Sequence, residues 1–161
     1  MISGDDWMAQ AKRDSESKVY LMKPMSKPMP SAPSLVRKES YGSVTIYWLD
    51  RAEARRQVRA AAQQLVQACP EVMAVYLFGS LAKNKAGPRS DADILIVLRE
   101  SSTPVWFRRA IEYSPYFDAV EMPVELFCFT INELPHKAVA RHALQYAELL
   151  AGTEIRNEVQ R

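Results

Sequence analysis

The sequence predicts an α/β fold of α+β type, a small mixed β-sheet with helices packed on it. Three observations predict it. Two short apolar runs, Val72–Phe78 and Ile94–Leu98, are bounded by turn residues and read as buried strands. A third such run covers Val124–Thr130 (VELFCFT). Between and around these runs, apolar residues recur at helical spacing, so helices alternate with strands. The predicted order is strand, helix, strand, helix, strand, helix, strand, helix, with Val44–Leu49 as an additional edge strand.

Each element has its own signal. Val44–Leu49 (VTIYWL) is apolar and β-branched, and Asp50 ends it. Asp50 with Glu53 three positions on matches a helix N-cap and capping box. The helix then runs to about Ala68, with Val58, Ala61, Ala62, Leu65, Val66 and Cys69 on one side, and Pro70 closes it. Its other side carries Arg51, Arg55, Arg56 and Arg59, the first, second and fourth of them on one ridge. That ridge is read either as a solvated face or as a surface for RNA or an acidic partner. Thr103–Tyr113 is predicted as a helix with Pro104 in its first turn, where Trp106 and Phe107 serve either packing or stacking on a base. Asn132–Leu150 is predicted as the last helix, stopped by Gly152. His136 and His142 within it are six apart, the wrong spacing for a metal pair on one helix face.

Bulk properties bound the function. With 48% hydrophobic and 25% charged residues among 161, the chain has ordinary globular composition, enough for one domain with a core. A net charge of +2 does not indicate nucleic acid as a partner. Two cysteines, Cys69 and Cys128, make a disulfide framework a poor expectation and free thiols in a reducing compartment the better one. No apolar run reaches membrane-spanning length and no secretory signal is visible, so a cytoplasmic location without membrane attachment is expected. The segment KPMSKPMPSAP packs four prolines into eleven residues. Residues 1–40 are therefore read as a flexible or disordered arm, a partner-binding tail or a plain linker, and residues 41–161 as the folded domain.

The chemistry is concentrated in YLFGSLAKNKAGPRSDADILIVL, residues 76–98. Side chains alternate along a strand, so Asp91 and Asp93 share a face. Two carboxylates side by side repel, and a divalent cation with hard oxygen ligands, such as magnesium, is the usual remedy. Gly79 permits close approach of backbone to a ligand, and Ser80 opens a turn whose N–H groups suit a phosphate. Lys83, Lys85 and Arg89 lie in the loop between, within reach of phosphates. Glu125 is an acid at the start of an otherwise apolar strand, costly unless something compensates it.

Gly79-Ser80, ten residues, then Asp91-x-Asp93 between two apolar strands resembles the signature of the polymerase β-like nucleotidyltransferase superfamily. The stretch is most similar to the minimal nucleotidyltransferases, single-domain proteins many of which are antitoxins paired with HEPN-domain toxins; the resemblance covers about Val44–Leu150. It implies two Mg2+ ions held by Asp91, Asp93 and Glu125, these three also being the catalytic residues, and a nucleotide, ATP or another NTP, bound by Gly79, Ser80, Lys83 and Ser90. It implies transfer of AMP to a hydroxyl on a partner protein, a HEPN-like toxin. Two departures are visible. Asn84 stands where the family commonly has glycine, and asparagine tolerates left-handed backbone. Glu125 stands where the family usually has aspartate, which moves the carboxylate by about a bond length. The aminoglycoside-modifying members carry a further helical domain for their acceptor, and none is evident after the core here. Two other readings stay open: a non-catalytic nucleotide-binding antitoxin acting by contact, and a small-molecule nucleotidyltransferase of aminoglycoside type, working as a dimer with a shared acceptor site.

Overall fold

A computed structural model of the protein describes residues 34–159. Of the arm read at residues 1–40, residues 1–33 lie outside the described residues. Residues 36–40, which the sequence placed with that arm, form a strand instead. β1 (Val36–Tyr41) pairs antiparallel with β2 (Val44–Leu49) through a two-residue turn. The ribbon is tied to the body by Leu35 and Leu49, both buried, and by Asp50 N–H donating to Leu35 O at 2.8 Å. Tyr41, Val44, Ile46, Tyr47 and Trp48 remain exposed along it.

Asp50 caps α1 (Arg51–Ala68) by accepting the Glu53 N–H at 3.1 Å, a contact worth about 1 kcal/mol. Only this half of the capping box forms. The Glu53 carboxylate turns to Arg56 and Gln57, and the Arg56 guanidinium holds it down at a pKa of about 2. β3 (Val72–Phe78) leads into a single short turn of helix, α2 (Gly79–Ala82), and β4 (Ala92–Leu98) follows the motif loop. α3 (Trp106–Tyr113), a 3-10 turn (Ser114–Phe117) and β5 (Val124–Thr130) come next. Pro104 lies before α3, outside its first turn, because Val105 is the N-cap.

The predicted last helix is not one helix. Its span holds a 3-10 turn (Leu134–His136), a short α4 (Ala138–Leu144) and a strand, β6 (Glu148–Gly152); α5 (Arg156–Val159) follows. Pro135 lies inside the 3-10 turn and helps keep the span from running on as one helix. Gly152 ends a strand, not a helix.

The main sheet has the order β5-β4-β3-β6, with β4 and β5 parallel and the other pairs antiparallel. A mixed sheet is what the sequence predicts, but Val44–Leu49, expected as its additional edge strand, pairs with β1 in a separate ribbon, and β6 takes the edge beside β3. Both faces are buried, which is why β3 and β4 read as unbroken apolar runs. Val75, Leu77, Ile94, Ile96 and Leu98 meet α1 on one face. Tyr76, Phe78, Leu95, Val97 and Phe129 meet α4, Leu134 and Ile155 on the other. Cys69 and Cys128 are free thiols, and burial pushes the Cys128 thiol up to about 12. Among the described residues no helix is long and apolar enough to cross a membrane.

One charged group is buried within this frame. Arg109 of α3 is 2% exposed and donates to Glu133 at 2.5 Å and to the carbonyls of Thr103, Pro104 and Cys128. The guanidinium in turn holds the Glu133 carboxyl down at about 2. Arg109→Ala strands Glu133 and three carbonyls together, so it is expected to cost about 3–5 kcal/mol in urea unfolding. The pair's contribution is present above the ordinary glutamate value of 4.5. It should drain away as pH falls from there through about 2, and a Glu133→Gln variant should lose that part of the acid sensitivity.

Candidate functional site

The site is built at one end of the sheet, on the face that α4 covers. β3 ends at Phe78, and the chain turns at Gly79, where φ is +70°. In the β3–β4 ladder Phe78 lies opposite Asp93, and in the parallel β4–β5 ladder Asp93 lies beside Glu125. Laterally paired strand residues share a face, so three neighbouring strands deliver Gly79, Asp93 and Glu125 to one place. Asp91 lies two residues before Asp93 and adds a third carboxylate.

Electrostatics register the convergence. Burial, then the Glu125 charge, then the Asp91 charge raise the Asp93 carboxyl above the ordinary aspartate value. Among the described residues no three His, Cys, Asp or Glu side chains already stand together at ion-holding spacing. The donor set itself, carboxylate oxygens gathered by register around a half-buried aspartate, suits a hard divalent cation such as Mg2+.

Gly79 also serves a purpose that the sequence reading did not include. A Cβ on Gly79 would stand 1.8 Å from Asp93 Oδ2. The glycine therefore admits the carboxylate of Asp93 against the backbone, besides permitting the left-handed φ. Ser80 is half-buried in the first turn of α2, and its carbonyl accepts the Lys85 N–H at 2.8 Å. Asn84 adopts φ +58°, the left-handed conformation expected of it.

The arginine ridge of α1 is neither a solvated face nor a free binding surface. Arg55 donates to Leu81 O at 2.8 Å and to Ala82 O at 3.0 Å, the carbonyls that end α2. It also donates to Glu148 at 2.6 Å, and Arg59 reaches the same carboxylate. Arg51 Nε donates to Ala86 O at 2.7 Å. These side chains hold the motif loop against α1 and β6. Only Arg56 keeps to its own helix, paired with Glu53.

The other expected residues divide. Lys83 carries its ammonium 4.1 Å from the centroid of the Tyr146 ring, and Tyr146 Oη accepts the Gly79 N–H at 3.4 Å. Tyr146 carries no motif in the sequence; its position follows from the bend that ends α4. Ser90 is turned into its own loop, where Oγ accepts the Gly87 N–H at 2.9 Å. Arg89 and Ser90, with Gly87, Pro88 and Tyr47 of the ribbon, line an open cleft of about 800 Å3 next to Asp91. Trp106 stacks parallel to Phe127 and packs on Phe129, which makes it core; Phe107 beside it is 55% exposed. His142 packs edge-on against Tyr146 at 5.5 Å.

Comparison with known proteins agrees with the geometry. A family model described as "Nucleotidyltransferase domain" matches residues 55–150. No curated protein matches the sequence. Among solved structures, a putative nucleotidyltransferase from Sulfolobus solfataricus is 19% identical, with 62% of this chain and 80% of that chain covered and a TM-score of 0.48. A chain of a toxin-antitoxin structure with AMP-PNP is 18% identical, with 65% and 78% covered and a TM-score of 0.43. A chain of the tri-AMPylated Shewanella oneidensis HEPN toxin in complex with MNT antitoxin is 17% identical, with 68% and 78% covered and a TM-score of 0.40. At these identities and scores the structural likenesses carry no functional argument, and the assignment rests on the family model. Because that model spans more than half of the chain and includes Gly79, Asp91, Asp93 and Glu125, the protein belongs to the nucleotidyltransferase domain family and is a nucleotidyl-transfer enzyme.

Proposed function

We propose that this protein transfers AMP from ATP to a hydroxyl on a partner protein, with Mg2+ as cofactor, and that the partner is a HEPN-type toxin which the transfer neutralises. The observation that carries the reading is the register that sets Asp93 beside Glu125 and directly against the Gly79 backbone, with Asp91 two residues before it on the same strand entry. Family membership and the resemblance of residues 76–98 to minimal nucleotidyltransferases support it.

In this reading Asp91, Asp93 and Glu125 hold the metal. Bound there, Mg2+ supplies positive charge for the attacking and leaving oxygens of an in-line displacement. Gly79 and Ser80 seat the β- and γ-phosphates, and Lys83 adds a cation beside them. Ser90 lies at the entrance to the strand that carries Asp93. Glu125, exposed at the rim, takes the proton from the acceptor hydroxyl. The acceptor oxygen forms a bond to the α-phosphorus, the bond from that phosphorus to the β-bridging oxygen breaks, and pyrophosphate leaves. Catalysis is then chiefly position and charge.

Two substitutions test it. Asp93→Asn keeps the shape and removes the charge, so transfer should fall about 100-fold or more. Its stability should move the other way. A carboxyl whose folded-state pKa is raised favours the folded protein below the unfolded value and penalises it as pH rises through the folded one. In EDTA at pH 7, Asp93→Asn should therefore melt at or above the wild-type temperature, with the difference closing below about pH 4. An Asn variant with near-full transfer would remove Asp93 from the chemistry.

Glu125→Gln should lower turnover with little change in nucleotide affinity, because a group that takes the proton of the attacking hydroxyl acts mainly in the transition state. Glu125→Asp should keep activity comparable or raise it. Transfer to the HEPN-type partner and its neutralisation are measured side by side. Full neutralisation by a Glu125→Gln protein that transfers nothing would replace the catalytic reading with neutralisation by contact.

A further inference from the structure

We propose that Tyr146 is a phosphate-binding residue of this site, its hydroxyl donating to the β/γ end of the bound nucleoside triphosphate. The proposal rests on the nucleotide reading above and assigns it a residue that lies far from the motif in sequence. Tyr146 is on the segment between α4 and β6, half-buried, with His142 against its ring edge. Its Oη accepts the Gly79 N–H at 3.4 Å. A phenol oxygen that accepts one hydrogen bond still has its own proton to give. Among the described residues that proton is committed to no acceptor.

The ring matters as much as the hydroxyl. Lys83 Nζ lies 4.1 Å from the ring centroid, a cation–π contact that parks the ammonium beside the Gly79–Ser80 turn. A flexible lysine so held loses less freedom when an anion binds. The occupied face is also closed to a nucleobase, so the geometry favours the phosphate end of the nucleotide. One O–H donor and one ammonium thus stand together at a glycine whose other side abuts the Asp93 carboxylate. Anion donors on one side and carboxylates on the other are the two halves that a metal-bound polyphosphate needs.

Tyr146→Phe isolates the hydroxyl, since it keeps the ring, the Lys83 contact and the His142 packing. Mg2+-ATP affinity should fall about tenfold, the size of one hydrogen bond to a charged group. The affinity for AMP, which lacks the β- and γ-phosphates, should stay within about twofold. KM for ATP should rise with kcat little changed. Tyr146→Leu removes the seat for Lys83 as well and should lose more ATP affinity, and adding Lys83→Ala to it should cost less than Lys83→Ala alone. A Tyr146→Phe protein that binds ATP like wild type would overturn the proposal. So would equal losses for ATP and AMP, which would make Tyr146 a packing residue. A wild-type protein that binds neither nucleotide with Mg2+ would instead overturn the nucleotide reading on which the proposal stands.

Discussion

The space where a side chain would sit at position 79 is filled by the carboxylate of Asp93, and the site depends on that exchange. The register of β3 against β4 sets Phe78 opposite Asp93, so the next residue must turn sharply across the aspartate. A Cβ there would stand 1.8 Å from Oδ2 and force either the turn or the strand to move. The same register, continued into β5, sets Glu125 alongside. A one-residue slip in either ladder would send Asp93 or Glu125 to the opposite face, under α1. In the proposed reading, the metal and nucleotide seats would both follow from this one constraint on three adjacent strands.

The scaffold around that point is organised to keep the turn still. Arg55 binds both carbonyls that end α2, and Arg51 binds the loop at Ala86. Both stand on a helix whose N-terminus is capped by Asp50. Glu148, on the edge strand β6, receives Arg55 and Arg59 together. Four basic positions that look like a charged surface from sequence are mostly spent internally. The exposed apolar surface lies elsewhere, along the aromatic β1–β2 ribbon and at Phe107 on α3, and Tyr47 with the 87–90 loop lines an open cleft.

Much of the fold was legible because its signals are local. Apolar runs gave β3, β4 and β5, and Asp50 gave the start of α1. Asn84, standing where the resembled family commonly has glycine, was read as tolerating left-handed backbone, and it adopts φ +58°. β1 was missed because Arg37, Lys38, Glu39 and Ser40 have no strand propensity; only its pairing with β2 makes it one. The two-residue turn carrying Gly42, with φ +60°, was the available clue. The stretch 132–150 misled because α4 and β6 together place apolar residues at near-helical spacing, while Pro135 marked the break. The roles of Arg55, Arg59, Arg109 and Tyr146 were not legible, since each depends on partners 19 to 93 residues away.

The central claim is that the three carboxylates and the Gly79 turn form one joint seat for a divalent cation and a nucleoside triphosphate. Thermal unfolding with Mg2+ alone, a non-hydrolysable ATP analogue alone, and both together tests it most directly, for wild type and for an Asp91→Asn, Asp93→Asn double variant. The account predicts that the two ligands together, at a hundred times their joint dissociation constant, stabilise the wild type by about 2.7 kcal/mol, more than the sum of their separate effects. It also predicts that this excess disappears in the double variant. Purely additive shifts in the wild type, or the same excess in the double variant, would contradict it.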